Sequence, residues 1–253
     1  MARRATFTQE QRDARGGTLL VLDAGNALIG DREPALSTGG RSSIAAMNTL
    51  GYDAMALGLN DVTQLTLHEL ELCIAEARFA VVSANAVVSA TGVLVTEPYA
   101  ILERDGRRFG ILGLTEAGQS AEVRADDPLD AARRWLPGLA EQSDIVILLS
   151  HAGADVDRAI AEEFGAVDLV VSGRSGEAYG GGMAGSALLT MPDLATPGDA
   201  GTRAGLAELT FSRHDALVLQ NWRQVTLGTA YAEDPSVAAW VEQALAEVPP
   251  AGP

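Results

Sequence analysis

Residues 144–153 read DIVILLSHAG. Five apolar residues, Ile145 to Leu149, stand between Asp144 and the small-residue turn Ser150-His151-Ala152-Gly153. So short a run, rich in β-branched side chains and closed by a turn, predicts a strand buried on both faces. His151 then falls just past the carboxyl end of that strand, the end at which open α/β sheets bind ligands. A plainer reading makes it a turn histidine with a satisfied hydrogen bond. Both readings stay open at this point.

Periodicity extends outward from this strand in both directions. Before it, Asp127–Glu141 reads as a helix with Leu129, Ala132, Leu136 and Leu139 inward and a kink or break at Pro137. After it come a helix over Ala154–Phe164, a strand over Ala166–Val171 and a loop over Ser172–Gly176. Toward the N-terminus, a surface helix over Arg3–Arg15 ends at Gly16-Gly17. It is followed by a strand over Thr18–Leu22 and the turn Asp23-Ala24-Gly25-Asn26. A helix over Ser42–Leu50 capped by Gly51, a strand over Asp53–Leu57 and a loop over Gly58–Asp61 come next. A helix over Thr66–Ala77, with His68 exposed in its first turn, leads to a strand over Phe79–Ser83. This βαβαβ order predicts a mainly parallel sheet with right-handed crossovers. Asp105-Gly106 between alternating apolar residues predicts a hairpin of Tyr99–Glu103 with Arg108–Leu114. The C-terminal part reads as antiparallel: a glycine-rich loop over Gly180–Gly185, strands over Ser186–Met191, Gly205–Phe211 and Ala216–Leu227, then an amphipathic helix over Pro235–Ala246. Pro249–Pro253 reads as a tail. The division expected is a domain over residues 1–232 and a helix with a linker-like tail over 233–253.

Composition excludes several functions. The 253 residues carry a net charge of −16, and all 18 basic residues are Arg. There is no basic cluster for a nucleic acid and no lysine for a Schiff base or phosphate loop. The single Cys73 excludes an intrachain disulfide and a cysteine-based metal site, and its helical setting suggests a core role. No segment approaches the roughly 18 apolar residues of a membrane span, and the first residues lack the apolar stretch of an export signal.

Five segments then fall into one order: Leu22–Asn26 (LDAGN), Met47–Gly58 (MNTLGYDAMALG), Ser83–Asn85 (SAN), Ser150–Gly153 (SHAG) and Val167–Gly173 (VDLVVSG). This order and spacing resembles the calcineurin-like metallophosphoesterases, specifically the N-terminal catalytic domain of the bacterial 5′-nucleotidase group, over most of residues 1–228. The resemblance implies an α/β fold, a four-layer α/β/β/α sandwich with two mixed sheets flanked by helices. It also implies loops that hold two divalent metals to activate a water and polarise a phosphate. The ligand motifs themselves depart. The family's DAGD turn, whose last Asp bridges both metals, ends here in Asn26, an amide without the charge to hold two dications roughly 3.5–4 Å apart. The family's GNHE becomes Gly58-Leu59-Asn60-Asp61, with Asn60 at the catalytic histidine position. The family's GHxH becomes Gly173-Arg174-Ser175-Gly176. His151 alone keeps a ligand-type residue, and the family's first strand with its DxH motif has no counterpart.

The expectation is a degenerate domain without catalysis, kept as a ligand-binding or structural and interaction module. Asn26, Asn60, Asp61, His151 and Arg174 are its candidate pocket residues. Arg174 would repel a dication there and could pair with a small anion or phosphate. A plainer alternative has these residues satisfying one another by hydrogen bonds. No cofactor is expected. A competing reading is an active metal-dependent phosphoester hydrolase with an altered site, in which Asp23, Asp61 and His151 would hold a divalent metal (Mn, Zn, Mg or Ca). Protein partners in a larger assembly are expected under the module reading, with Trp222 and Tyr231 as interface candidates. No nucleic acid or membrane span is expected. The resemblance points to a periplasmic or extracellular setting.

Overall fold

The computed structural model describes residues 1–15, 19–30, 33–174, 182–184, 187–190, 202–212 and 217–248. Chain order begins with helix α1 (Ala2–Arg15), strand β1 (Leu22–Asp23), α2 (Arg41–Leu50), β2 (Ala54–Ala56), α3 (Leu59–Gln64), α4 (Leu67–Glu76) and β3 (Ala80–Val82). It continues through β4 (Ala86–Val88), β5 (Tyr99–Arg104), β6 (Arg107–Thr115), β7 (Gly118–Gln119), β8 (Val123–Ala125), α5 (Pro128–Ala140) and β9 (Ile145–His151). The last elements are α6 (Ala154–Glu163), β10 (Leu169–Ser172), β11 (Gly182–Ala184), β12 (Ala187–Thr190), β13 (Arg203–Phe211), β14 (Leu217–Thr226) and α7 (Pro235–Ala246).

The run DIVILLSHAG forms β9, all seven residues buried, near the middle of a six-stranded mixed sheet of order β11-β12-β10-β9-β6-β5. Leu148 and Val146 on one face pack with Leu136 and Leu139 of α5 and Ile160 of α6. Ile145, Ile147 and Leu149 on the other face meet a second layer, Ala54 and Ala56 of β2 together with Leu209, Phe211 and Trp222 of the β13–β14 hairpin. The far side of β2 carries Met55 and Leu57 into a cluster with Ile44 and Met47 of α2, Val62 of α3 and Leu70 and Cys73 of α4. Alternation along strands thus sends successive side chains into two cores and produces four layers, helix, sheet, sheet, helix.

The βαβαβ order holds, and β1, β2 and β3 form one parallel sheet in that spatial order, although β1 covers only Leu22–Asp23, shifted toward the turn from the strand expected over Thr18–Leu22. The hairpin around Asp105-Gly106 also holds. Both turn residues have positive φ, 49° and 72°, as a two-residue turn with the twist of the strands requires.

Several elements differ from the sequence expectation. Gly58–Asp61 is not a loop; α3 starts at Leu59, so Asn60 and Asp61 lie in its first turn. Pro137 does not break α5, because it falls in the last turn on the exposed side, where the one backbone bond it removes can be made to water. β12 runs parallel to β10, and antiparallel only to β11, which occupies part of the stretch read as a glycine-rich loop. The three-stranded sheet is wholly parallel, so of the two main sheets only the six-stranded one is mixed. Strands β4, β7 and β8 form a small separate antiparallel sheet that periodicity had left out. Most of the loop after Ser172 and the tail Pro249–Pro253 lie outside the described residues.

Candidate functional site

The carboxyl ends of β1, β6, β9 and β10 and the first turn of α3 open on a cavity of about 1550 Å³. Its polar end is formed by Asp23, Asn26, Asn60, Glu116, His151 and Arg174. Two loops build one wall. Gly25, at φ 108°, and Gly58 are packed so tightly that a Cβ on Gly25 would lie 2.8 Å from the Gly58 nitrogen. A Cβ on Gly58 would lie 2.2 Å from Asn26 Oδ1. Asn26 takes a left-handed φ of 57°, which an Asn tolerates better than most side chains.

Asp61 fastens these loops from beneath. Its Oδ2 accepts from the backbone nitrogens of Asn26 (2.9 Å) and Gly58 (2.9 Å), and its Oδ1 accepts from Leu28 (3.1 Å). The side chain is 0% exposed and does not line the cavity. Asp61 is therefore a clamp under the site rather than a wall residue, because three backbone donors hold it inward. Burial pushes its carboxyl up to about 6, against the pull of the three donors, and the nearby Asp23 adds to the rise. Asp23 Oδ1 accepts from Gly25 N at 3.0 Å.

Asn26 and Asn60 both line the cavity and meet each other. Asn26 Oδ1 accepts from the backbone nitrogen of Asn60 at 2.8 Å, so the amide oxygen at the family's bridging-metal position is already engaged. Arg174 is placed at the cavity too, ion-paired through Nη1 with Glu116 Oε1. Its charge is thus compensated by a neighbouring side chain, although Arg174 itself stays exposed to solvent. Glu116 escaped the sequence reading. The available signal was an acid just beyond the carboxyl end of the strand paired with SHAG.

His151 is the last residue of β9 rather than a turn residue, opposite Thr115 of β6, and 5% exposed. Its Nδ1 is buried without a hydrogen-bond partner. Burial first, and the Arg174 charge second, push it down to about 4, weakly opposed by its own backbone, so it is neutral at pH 7. Below it, Thr115 is held by Asn85, which accepts from Thr115 N (2.9 Å) and donates to Thr115 O (2.7 Å). Thr115 Oγ1 also donates to Leu57 O at 2.8 Å. Asp157 of α6, unremarked in the sequence, is fully buried and accepts from Ser150 Oγ and from Ser172 Oγ (2.6 Å). It locks α6 to the ends of β9 and β10, and burial raises its carboxyl to about 6. Cys73 is buried and its thiol is pushed up to about 12, chiefly by burial, which leaves it inert at neutral pH.

The donor set does not fit a pair of dications. Among the described residues, no three His, Cys, Asp or Glu side chains come together as a metal site. Asp61 faces away, Glu116 is bound to Arg174, and the Arg174 charge acts on His151, so a dication bound by His151 would meet a like charge.

The layers and the loops at the strand ends define the class, a sandwich of the metallo-dependent phosphatase type. A 5′-nucleotidase precursor from Thermus thermophilus superposes with a TM-score of 0.78 at 26% identity, over 96% of this chain and 52% of that one. A sulfate thiohydrolase, SoxB, from the same genus gives a TM-score of 0.82 at 19% identity over 97% of this chain and 46% of its own, a likeness of fold. The nearer kinship is with the 5′-nucleotidases. A probable 5′-nucleotidase of Treponema pallidum is 34% identical over 63% of this chain and 28% of its own length. The 5′-nucleotidase of Vibrio cholerae is 29% identical over 70% and 36%. The chain is a relative of the 5′-nucleotidase group of calcineurin-like metallophosphoesterases, and it spans about a third of the length of these two curated relatives. No protein-family model matches it.

Among the described residues, no helix is long and apolar enough to cross a membrane. Of the interface aromatics expected from sequence, Tyr231 packs edge-on against Phe7 of α1, with ring centroids 5.5 Å apart. Trp222 packs into the core between the sheets.

Proposed function

We propose that this chain is a degenerate 5′-nucleotidase-like domain that does not hydrolyse phosphoesters and is retained as a binding or structural module. The observation that carries the reading is the Arg174–Glu116 ion pair at the ends of β10 and β6. A half-exposed cation and its counter-charge stand at the strand ends, where a pair of dications would need free carboxylates and imidazoles. The competing reading, a live hydrolase, requires Asp23, Asp61 and His151 to converge on one ion. Asp61 is directed at three backbone nitrogens instead. The Glu116 carboxylate beside Arg174 also disfavours a free phosphate there, because it would repel a second anion.

The test is metal content of the purified protein together with hydrolysis of p-nitrophenyl phosphate and AMP with and without Mn²⁺. The expected result is sub-stoichiometric metal and no saturable, metal-dependent turnover. Turnover that saturates with Mn²⁺ and is abolished by His151→Ala overturns the proposal.

A further inference from the structure

No further inference is drawn: the strongest candidate, the side-chain cluster of Glu116, His151 and Arg174 at the carboxyl ends of β6, β9 and β10, where His151 Nδ1 is buried without a hydrogen-bond partner, carries nothing more because it belongs to the site already described.

Discussion

Single residues at the strand ends have their roles set by burial and by their bonding partners. Asp61 is the clearest case. Asp61→Asn keeps the size but turns one acceptor into a donor facing a backbone N–H, so a loss of about 2–3 kcal/mol is expected in urea unfolding. Titration gives a second test. Asp157 has a folded pKa raised to about 6, so its contribution to stability is fully present below about 3.8 and is lost as pH rises through 6. His151 is lowered to about 4, so its neutral burial stabilises above about 6.5 and that contribution is lost as pH falls toward 4. The two slopes oppose each other between pH 4 and 6. Unfolding midpoints of Asp157→Asn should therefore rise more steeply with pH than those of the parent in this window, and those of His151→Gln less steeply. Parallel curves would show that neither group is shifted. The resemblance to a known family grouped His151, Asn26, Asn60 and Arg174, and all four line the cavity. It misplaced Asp61, because neighbours in sequence say nothing of which backbone donors a carboxylate will meet. It passed over Glu116 and Asp157 because their partners are 58 and 7–15 residues distant.

At the scale of elements, local chemistry explains most boundaries. α4 starts with a capping box, in which Thr66 Oγ1 accepts from Glu69 N at 3.2 Å and Glu69 accepts from Thr66 N at 2.8 Å. Thr66→Ala should cost about 1 kcal/mol, measured by thermal unfolding, with no change in the core. The two-loop wall is less forgiving. Gly58→Ala places a Cβ against the backbone and side chain of Asn26, so a loss of more than about 2 kcal/mol is expected, together with faster amide exchange around Asn26 and Asn60. Helices α2, α4, α5, α6 and α7 were legible because apolar spacing and caps are local. α3 was missed because six residues give too little periodicity to distinguish from a loop. The parallel pairing of β12 with β10 was missed because strand direction is decided by a neighbour that sequence spacing does not name.

For the whole molecule, the net charge of −16 opposes compaction. Raising NaCl from about 10 mM to about 150 mM should raise the thermal midpoint at pH 7, as the Debye length falls from about 30 Å to about 8 Å. A fall instead would mean that the surface ion pairs outweigh the net repulsion. Four layers around three cores make the framework tolerant of changes at its loops, so residues at the strand ends can vary while the sandwich persists. What the amino-acid order determined by itself was the framework: strands from apolar runs such as Ile145–Leu149, helices from their apolar spacing, and, set against the motifs of the family it resembles, uncharged amides at Asn26 and Asn60 and a cation at Arg174. Those are properties of short windows. Tertiary structure alone decided that Arg174 meets Glu116, that Asp61 turns beneath the loops, and that β12 runs parallel to β10. Each depends on groups brought together across long separations, where packing and backbone hydrogen bonding choose the partner.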